Sequence, residues 1–225
     1  MSGIATIRAI SEDVTDSEVV NNEFIYQVNT EAWQMIRPSF LTFLNDVVPK
    51  NNNPWSNQII ISQMAEIGVA GGINSLMMLK AYKNSFLYMI DSYALGQTEA
   101  SADGITKSYE DRRKIVIKTS SEAVKDFPDN FFDYLYLDAS HDYESVLHDM
   151  ELWYPKVKLF GMMAGHDWMM ESVRKGVTTY LQKNELPERL YGIQPYFQDT
   201  AKGLTDIETH GIDWWFVKRV TKYQE

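Results

Sequence analysis

From about residue 58 onward the chain alternates short apolar runs with stretches long enough for a helix. A short apolar run without helical period suits a strand buried on both faces, and consecutive parallel strands need a crossover of a dozen or more residues. The alternation therefore predicts βαβ units wound around a parallel sheet. Strands are expected at 63–69, 86–90, 115–118, 132–137 and 161–164, then a helix over 171–183, a strand near 191–197 and a last one within 213–220, around Trp214-Trp215-Phe216-Val217. The expected architecture is α/β: a Rossmann-like, seven-stranded, mostly parallel sheet with helices on both faces.

Ahead of the sheet, Val19, Val20, Phe24, Val28, Trp33, Ile36, Phe40, Phe43 and Leu44 recur at three- and four-residue spacings, broken at Pro38, and predict an N-terminal helical cap. The run Pro49 to Pro54 ends that periodicity, so the expected division is a cap over 1–50 and the main domain over 51–225. A chain of 225 residues can bury one sizeable core without disulfides, and cysteine is absent. That absence removes thiolate nucleophiles and Cys-ligated zinc or iron–sulfur sites. The net charge of −10, with cationic runs no longer than pairs, argues against a nucleic-acid partner. The first residues lack a basic segment followed by an apolar one, and no apolar run approaches the ~20 residues of a membrane helix. The reading is a cytoplasmic protein with no membrane partner, free to form a homo-oligomer.

The run Glu66-Ile67-Gly68-Val69-Ala70-Gly71-Gly72-Ile73-Asn74-Ser75 ends the first strand and opens a helix. Glycines there let the backbone turn sharply and approach a ligand in the crevice beyond the strand's C-terminal end. The dinucleotide fingerprint requires G-x-G-x-x-G, and the order here, Gly68-x-x-Gly71-Gly72, departs from it. Asp91 follows the second apolar run, where a carboxylate can accept hydrogen bonds from ribose hydroxyls.

The fourth strand runs out in Asp138-Ala139-Ser140-His141-Asp142-Tyr143 and the fifth in Gly165-His166-Asp167-Trp168. Neighbouring strands lie ~4.8 Å apart, so Asp138 and Asp167 can converge, and two converging carboxylates favour a divalent cation between them. His141 and His166 occupy the same two tips and are read as functional. His148 and His210 are read as structural, and Asp142, Glu144, Asp149 and Glu151 as a solvated helix start.

With these residues in place the chain resembles a class I S-adenosylmethionine-dependent methyltransferase. Glu66 to Gly72 resembles that superfamily's first motif, with Asn74 and Ser75 completing the cofactor turn, and Asp91 resembles its ribose-binding acid. The stretch 132–167 is similar to the metal-dependent O-methyltransferase branch that acts on macrolide sugars and rhamnosyl groups, where Asp-x-x-His-x-Tyr follows the fourth strand and an acidic pair the fifth. Asp138, His141, Tyr143 and Asp167 match; His166 stands where the branch carries the first acid of the pair. The resemblance implies S-adenosylmethionine as cofactor, bound by Glu66, Gly68, Gly71, Gly72, Asn74, Ser75, Asp91, Ser121 and Asp138. It implies a divalent metal, Mg²⁺ or Mn²⁺, at Asp138 and Asp167 with His166 as ligand or neighbour, and His141 as general base. A nitrogen at position 166 favours Mn²⁺ over the harder Mg²⁺.

The expected reaction is methyl transfer to a hydroxyl of a small molecule, a sugar or natural product. Segment 92–111, rich in small residues, reads as a mobile lid, and Trp33, Trp55, Trp168 and Tyr143 as candidate walls for the acceptor. The rival readings are an NAD(P)-dependent oxidoreductase on a similar sheet and a noncatalytic binding protein that keeps the fold.

Overall fold

The computed structural model describes residues 37–48, 60–94, 99–186 and 213–219. Its strands are β1 (Ser62–Ile67), β2 (Ser85–Asp91), β3 (Arg113–Ile117), β4 (Phe132–Leu137), β5 (Val157–Gly165) and β6 (Trp214–Val217). The helices are α1 (Pro38–Thr42), α2 (Ile73–Ala81), α3 (Glu99–Thr106), α4 (Ser120–Ala123), α5 (Tyr143–Trp153) and α6 (Glu171–Lys183). The strands form one sheet in the order β3-β2-β1-β4-β5-β6, parallel through β5, with β6 antiparallel at the edge.

The order reverses between β1 and β4, and a crevice at the carboxyl ends of the strands follows from that reversal. Backbone hydrogen bonds continue past the ends of the paired strands. Gly68 N donates to Ile90 O at 2.9 Å, Asp138 N to Ile67 O at 2.8 Å and His166 N to Leu137 O at 3.1 Å. The tips are thus held in line with one another, and so are the side chains they carry.

The two faces of the sheet bury different layers. On one lie α5 and α6, with Ile67, Leu135, Trp153, Val177 and Trp214; on the other lie α1 and α2, with Phe40, Phe43, Met64, Met78, Tyr134 and Tyr136. Both faces of β4 are covered, and all six of its residues are buried. Trp153 is fully buried, and truncating such a residue to Ala costs about 3–5 kcal/mol.

Several expectations change. Six strands stand among the described residues rather than seven; the remaining candidate, 191–197, lies outside them, as do residues 1–36 of the expected cap. Pro38 begins α1 instead of interrupting a helix, because a proline at the first helical position gives up no intrahelical bond. β5 starts at Val157, four residues before the expected start, since Leu159 and Phe160 within it are exposed and Phe160 has a left-handed φ of 64°. The expected lid contains α3 and the 3₁₀ turn Lys107–Arg112. The segment is pinned: Arg113 bonds Thr106 O at 3.0 Å and Asp103 at 2.6 Å, and Arg112 bonds Leu79 O at 2.8 Å and Tyr82 O at 3.0 Å.

Glu66 ties β1 to α2. It is 1% exposed and accepts hydrogen bonds from Asn74 Nδ2 at 2.9 Å and from the Ser75 hydroxyl. Burial raises its carboxyl, and although Ser75, Asn74 and the charge of Arg37 pull the other way it is pushed up to about 8. The folded protein therefore holds a proton at Glu66 that the unfolded chain releases near its ordinary pKa of about 4.5. Stability falls as pH rises through that window and levels off above about 8, by at most about 1.4 kcal/mol per pH unit. Glu66→Gln should flatten this limb in urea unfolding between pH about 5 and about 8; the same pH slope in both proteins would assign the proton elsewhere.

Candidate active site

A cavity of about 730 Å³ opens at the carboxyl ends of β1 to β4. The glycine turn forms one wall. Gly68 has φ +90°, and a Cβ there would sit 2.1 Å from the carbonyl oxygen of Asp138. Only glycine permits that approach, which brings the β1 turn against the β4 tip. Gly71, Gly72, Asn74 and Glu66 line the same wall, whereas Ser75 is fully buried, its hydroxyl engaged by Glu66, and lies behind the wall rather than in it.

Asp91 stands at the β2 tip as expected, and it also holds the turn in shape. Its Oδ2 accepts from Val69 N at 2.8 Å and Ala70 N at 2.9 Å, and its Oδ1 from Tyr93 N at 2.6 Å. A carboxylate offers roughly four acceptor sites, so capacity remains for a ligand hydroxyl. Farther along, Ser121 lines the cavity with its Oγ 3.2 Å from His148 Nε2. His148 and Asp149 line it too, and Asp149 is buried rather than solvated as expected. Asp149 is buried and accepts from Ser120, whose Oγ in turn receives Trp153 Nε1 at 2.8 Å. A charge written on a helix reads as solvated until the neighbouring loop is known, and here α4 covers it. Asp142 fits the expectation: it caps α5, accepting from Ser145 N at 2.9 Å.

At the opposite end the β4 and β5 tips bring the two carboxylates and both histidines together. His141 Nε2 lies 3.4 Å from Asp138 Oδ1 and 3.1 Å from Asp167 Oδ2. His166 Nδ1 lies 3.2 Å from Asp167 Oδ1 and 3.7 Å from Asp138 Oδ1. Asp167 has a left-handed φ of 57°, which turns its carboxylate back toward Asp138. Burial raises the Asp167 carboxyl, but the hydrogen bond from His166 and the charges of His166, His141 and Arg37 outweigh it and leave it below the ordinary range. His141 is raised, first by its hydrogen bond to Asp138 and then by the charges of Asp167, Asp138 and Asp142, against a partial burial that lowers it.

Arg37 enters from the N-terminal side, a residue sequence reasoning did not single out. Its NH1 lies 2.6 Å from His166 Nε2. A guanidinium only donates, so that nitrogen must accept, and the ring proton sits on Nδ1, facing Asp167. In this arrangement His166 is a donor to the acidic pair, the neighbour's place of the two that the sequence left open. The donor atoms that converge are those of Asp138, His141 and Asp167, all within 4.8 Å of one another. Two oxygens and one nitrogen at that spacing fit a divalent cation.

Of the aromatic residues expected to wall an acceptor, Trp168 is core, 8% exposed, and Tyr143 carries Lys175 over its ring at 4.9 Å. Trp33, Trp55 and His210 lie outside the described residues. No helix among the described residues is long and apolar enough to cross a membrane.

Residues 65–168, the span from β1 to just past the β5 tip, match the model of a family described as a methyltransferase domain. No curated protein matches the sequence. Among solved structures the chain is similar to the O-methyltransferase NovP, with a TM-score of 0.61 at 15% identity over 80% of this chain and 78% of that one. It is similar to a spermidine synthase from Thermotoga maritima, with a TM-score of 0.54 at 16% identity over 85% of this chain and 60% of that one. A Corynebacterium glutamicum protein gives a TM-score of 0.52 at 10% identity over 83% of this chain and 82% of that one. At such identities the structural likeness speaks for the fold, and the methyltransferase-domain match covers residues 65–168, the span that carries the glycine turn, the acid at the β2 tip and both carboxylates of the β4 and β5 tips.

Proposed function

We propose that the protein transfers the methyl group of S-adenosylmethionine to a hydroxyl of a small molecule, a sugar or natural-product acceptor, with His141 as the proton acceptor. The likeness to a structure named as an O-methyltransferase supports oxygen as the nucleophile. Asp91 takes a ribose hydroxyl, Ser121 lies at the adenine end, and Glu66 with Asn74 faces the amino-acid end. The acceptor oxygen attacks the sulfonium methyl carbon, the carbon–sulfur bond breaks with its electron pair going to sulfur, and the acceptor's proton passes to the histidine. The products are the methyl ether and S-adenosylhomocysteine.

The observation that carries the base assignment is the seat of His141 between the two carboxylates. Nε2 faces Asp138 and Asp167, so in the neutral ring it holds the proton and donates it, which leaves Nδ1 as the accepting nitrogen. A carboxylate that fixes a histidine's tautomer and stabilises its charged form is the logic of acid–base dyads generally. The hydrogen bond to Asp138 and the neighbouring carboxylates raise the pKa of His141, which strengthens it as a base.

A second reading rests on the convergence of Asp138, His141 and Asp167. These three would hold Mg²⁺ or Mn²⁺, the nitrogen favouring the latter, and such a cation lowers the pKa of a hydroxyl bound to it. The two readings exclude each other at one atom, because Nε2 cannot both carry a proton toward the carboxylates and ligate a cation.

Two measurements follow. Titration calorimetry should show S-adenosylhomocysteine binding to the wild-type protein and binding at least about tenfold weaker to Asp91→Ala, since a hydrogen bond to a charged group contributes about 1.5–3 kcal/mol. Binding of NAD in place of S-adenosylhomocysteine would overturn the cofactor assignment. For the base, activity should survive exhaustive chelation, and the rate should rise with pH through a pKa above about 6.5, a limb that His141→Gln removes together with about 10²- to 10⁴-fold of the rate. Activity lost on chelation and restored by Mn²⁺ would instead place His141 on a cation.

A further inference from the structure

Arg37 and Asp167 meet opposite sides of one imidazole. Arg37 NH1 lies 2.6 Å from His166 Nε2, and across the ring Nδ1 lies 3.2 Å from Asp167 Oδ1. A neutral histidine has one N–H and one bare nitrogen. In an unconstrained ring the proton prefers Nε2. Here that form would set a bare Nδ1 against a carboxylate oxygen, lone pair against lone pair, and would aim an N–H at a guanidinium that has only N–H groups to return. The contact with Arg37 selects the other form, in which Nδ1 donates to Asp167.

Asp167 divides its two oxygens between the histidines. Oδ1 faces His166 Nδ1, and Oδ2 lies 3.1 Å from His141 Nε2. The carboxylate turns about a single bond, so a donor fixed at Oδ1 also fixes where Oδ2 points. The His166 backbone is held on both sides, its N donating to Leu137 O at 3.1 Å and its O accepting from Trp214 Nε1 at 3.1 Å. Arg37 is rooted as well. Pro38 sets the first helical position after it, and the Arg37 carbonyl accepts from Phe40 N at 3.0 Å and Leu41 N at 3.1 Å. Ser39 is held to the carboxylate of Asp213, through its Oγ at 2.6 Å and its backbone N at 3.2 Å. Asp213 is 1% exposed and receives Tyr136 OH at 2.8 Å. The guanidinium thus reaches His166 from a buried anchor.

We propose that Arg37 is a positioning residue for the proton acceptor. By donating to His166 Nε2 it keeps that ring's proton on Nδ1, which holds Asp167 Oδ1 and leaves Oδ2 to receive His141 Nε2, so that the accepting nitrogen of His141 is Nδ1. The influence passes from Arg37 through His166 and Asp167 to His141, and the proposal rests on the reading of His141 as the base. A group behind a catalytic histidine that fixes its tautomer matters even where the ring does not move.

Nitrogen-15 NMR of the full chain, with chelator present and at a pH where His141 is neutral, reads both tautomers without an acceptor. Protonated and bare ring nitrogens resonate far apart, and the His166→Asn and His141→Gln spectra assign the two rings. Wild-type protein should show His166 protonated on Nδ1 alone and His141 on Nε2 alone. Arg37→Met should move the His166 proton to Nε2 and leave His141 a mixture of both forms, and Arg37→Lys, which keeps a donor, should preserve the wild-type pattern in part. His166→Asn supplies an amide N–H close to where Nδ1 stood, so in that background Arg37→Met should leave His141 unchanged. An Arg37 that serves stability alone would disturb His141 equally in both backgrounds, and that result overturns the proposal. So does a wild-type His166 protonated on Nε2 or on both nitrogens, or a wild-type pattern that survives in Arg37→Met. Because the wild-type spectrum can overturn it unaided, an Arg37→Met that fails to fold leaves the test standing. His141 protonated on Nδ1 beside a His166 of the expected form would fail the base reading itself.

Discussion

The site depends on how closely the β1 turn approaches the β4 tip. Gly68 lies against the Asp138 carbonyl at a distance no side chain would allow, and the hydrogen bonds of Gly68, Asp138 and His166 carry the sheet's ladder one step beyond its strands. The glycine wall of the cavity and the carboxylate of Asp138 are thereby set by the same backbone spacing. A comparable economy holds at β5, where a Cβ on Gly165 would lie 2.4 Å from the ring of Trp214. That ring then donates Nε1 to His166 O at 3.1 Å and holds the β5 tip in place.

Two carboxylates set side by side would each raise the other's pKa. Here the repulsion is answered by N–H groups: His141 Nε2 bridges Asp138 and Asp167, His166 Nδ1 faces Asp167, and Arg37 stands behind His166. Each of these donors is itself positioned, His166 by Arg37 and Arg37 by the Ser39–Asp213 contact. The electrostatics of the two carboxylates therefore reach back through the sheet to the buried carboxylate of Asp213.

What could be read from the sequence is what is local in it. The alternation of apolar runs placed five strands to within a few residues, and α6 lies where periodicity put it, at 171–183. The turn from Glu66 to Asn74 and the pair Asp138 and His141 were legible because their spacing along the chain is their spacing in the site. Ser75 belongs to the same turn in sequence, but its side chain is buried with its hydroxyl engaged by Glu66, which no local pattern announces. Asp149 looked like ordinary helix surface because nothing in α5 announces that α4 covers it. Arg37 was invisible for a stronger reason: its partner is 129 positions away, and no local pattern marks a lone arginine before a proline.

The Ser39–Asp213 contact joins residues 174 positions apart and closes the fold across nearly its whole sequence. During synthesis the glycine turn, Asp91 and the β4 and β5 tips are all made before residue 213 has been added. A nascent chain at that stage carries the whole span that matches the methyltransferase-domain model, yet the anchor beneath Arg37 does not exist and β5 lacks its β6 partner. Assembly of the complete site is therefore a late event, reserved for a chain whose β6 has come back to meet α1.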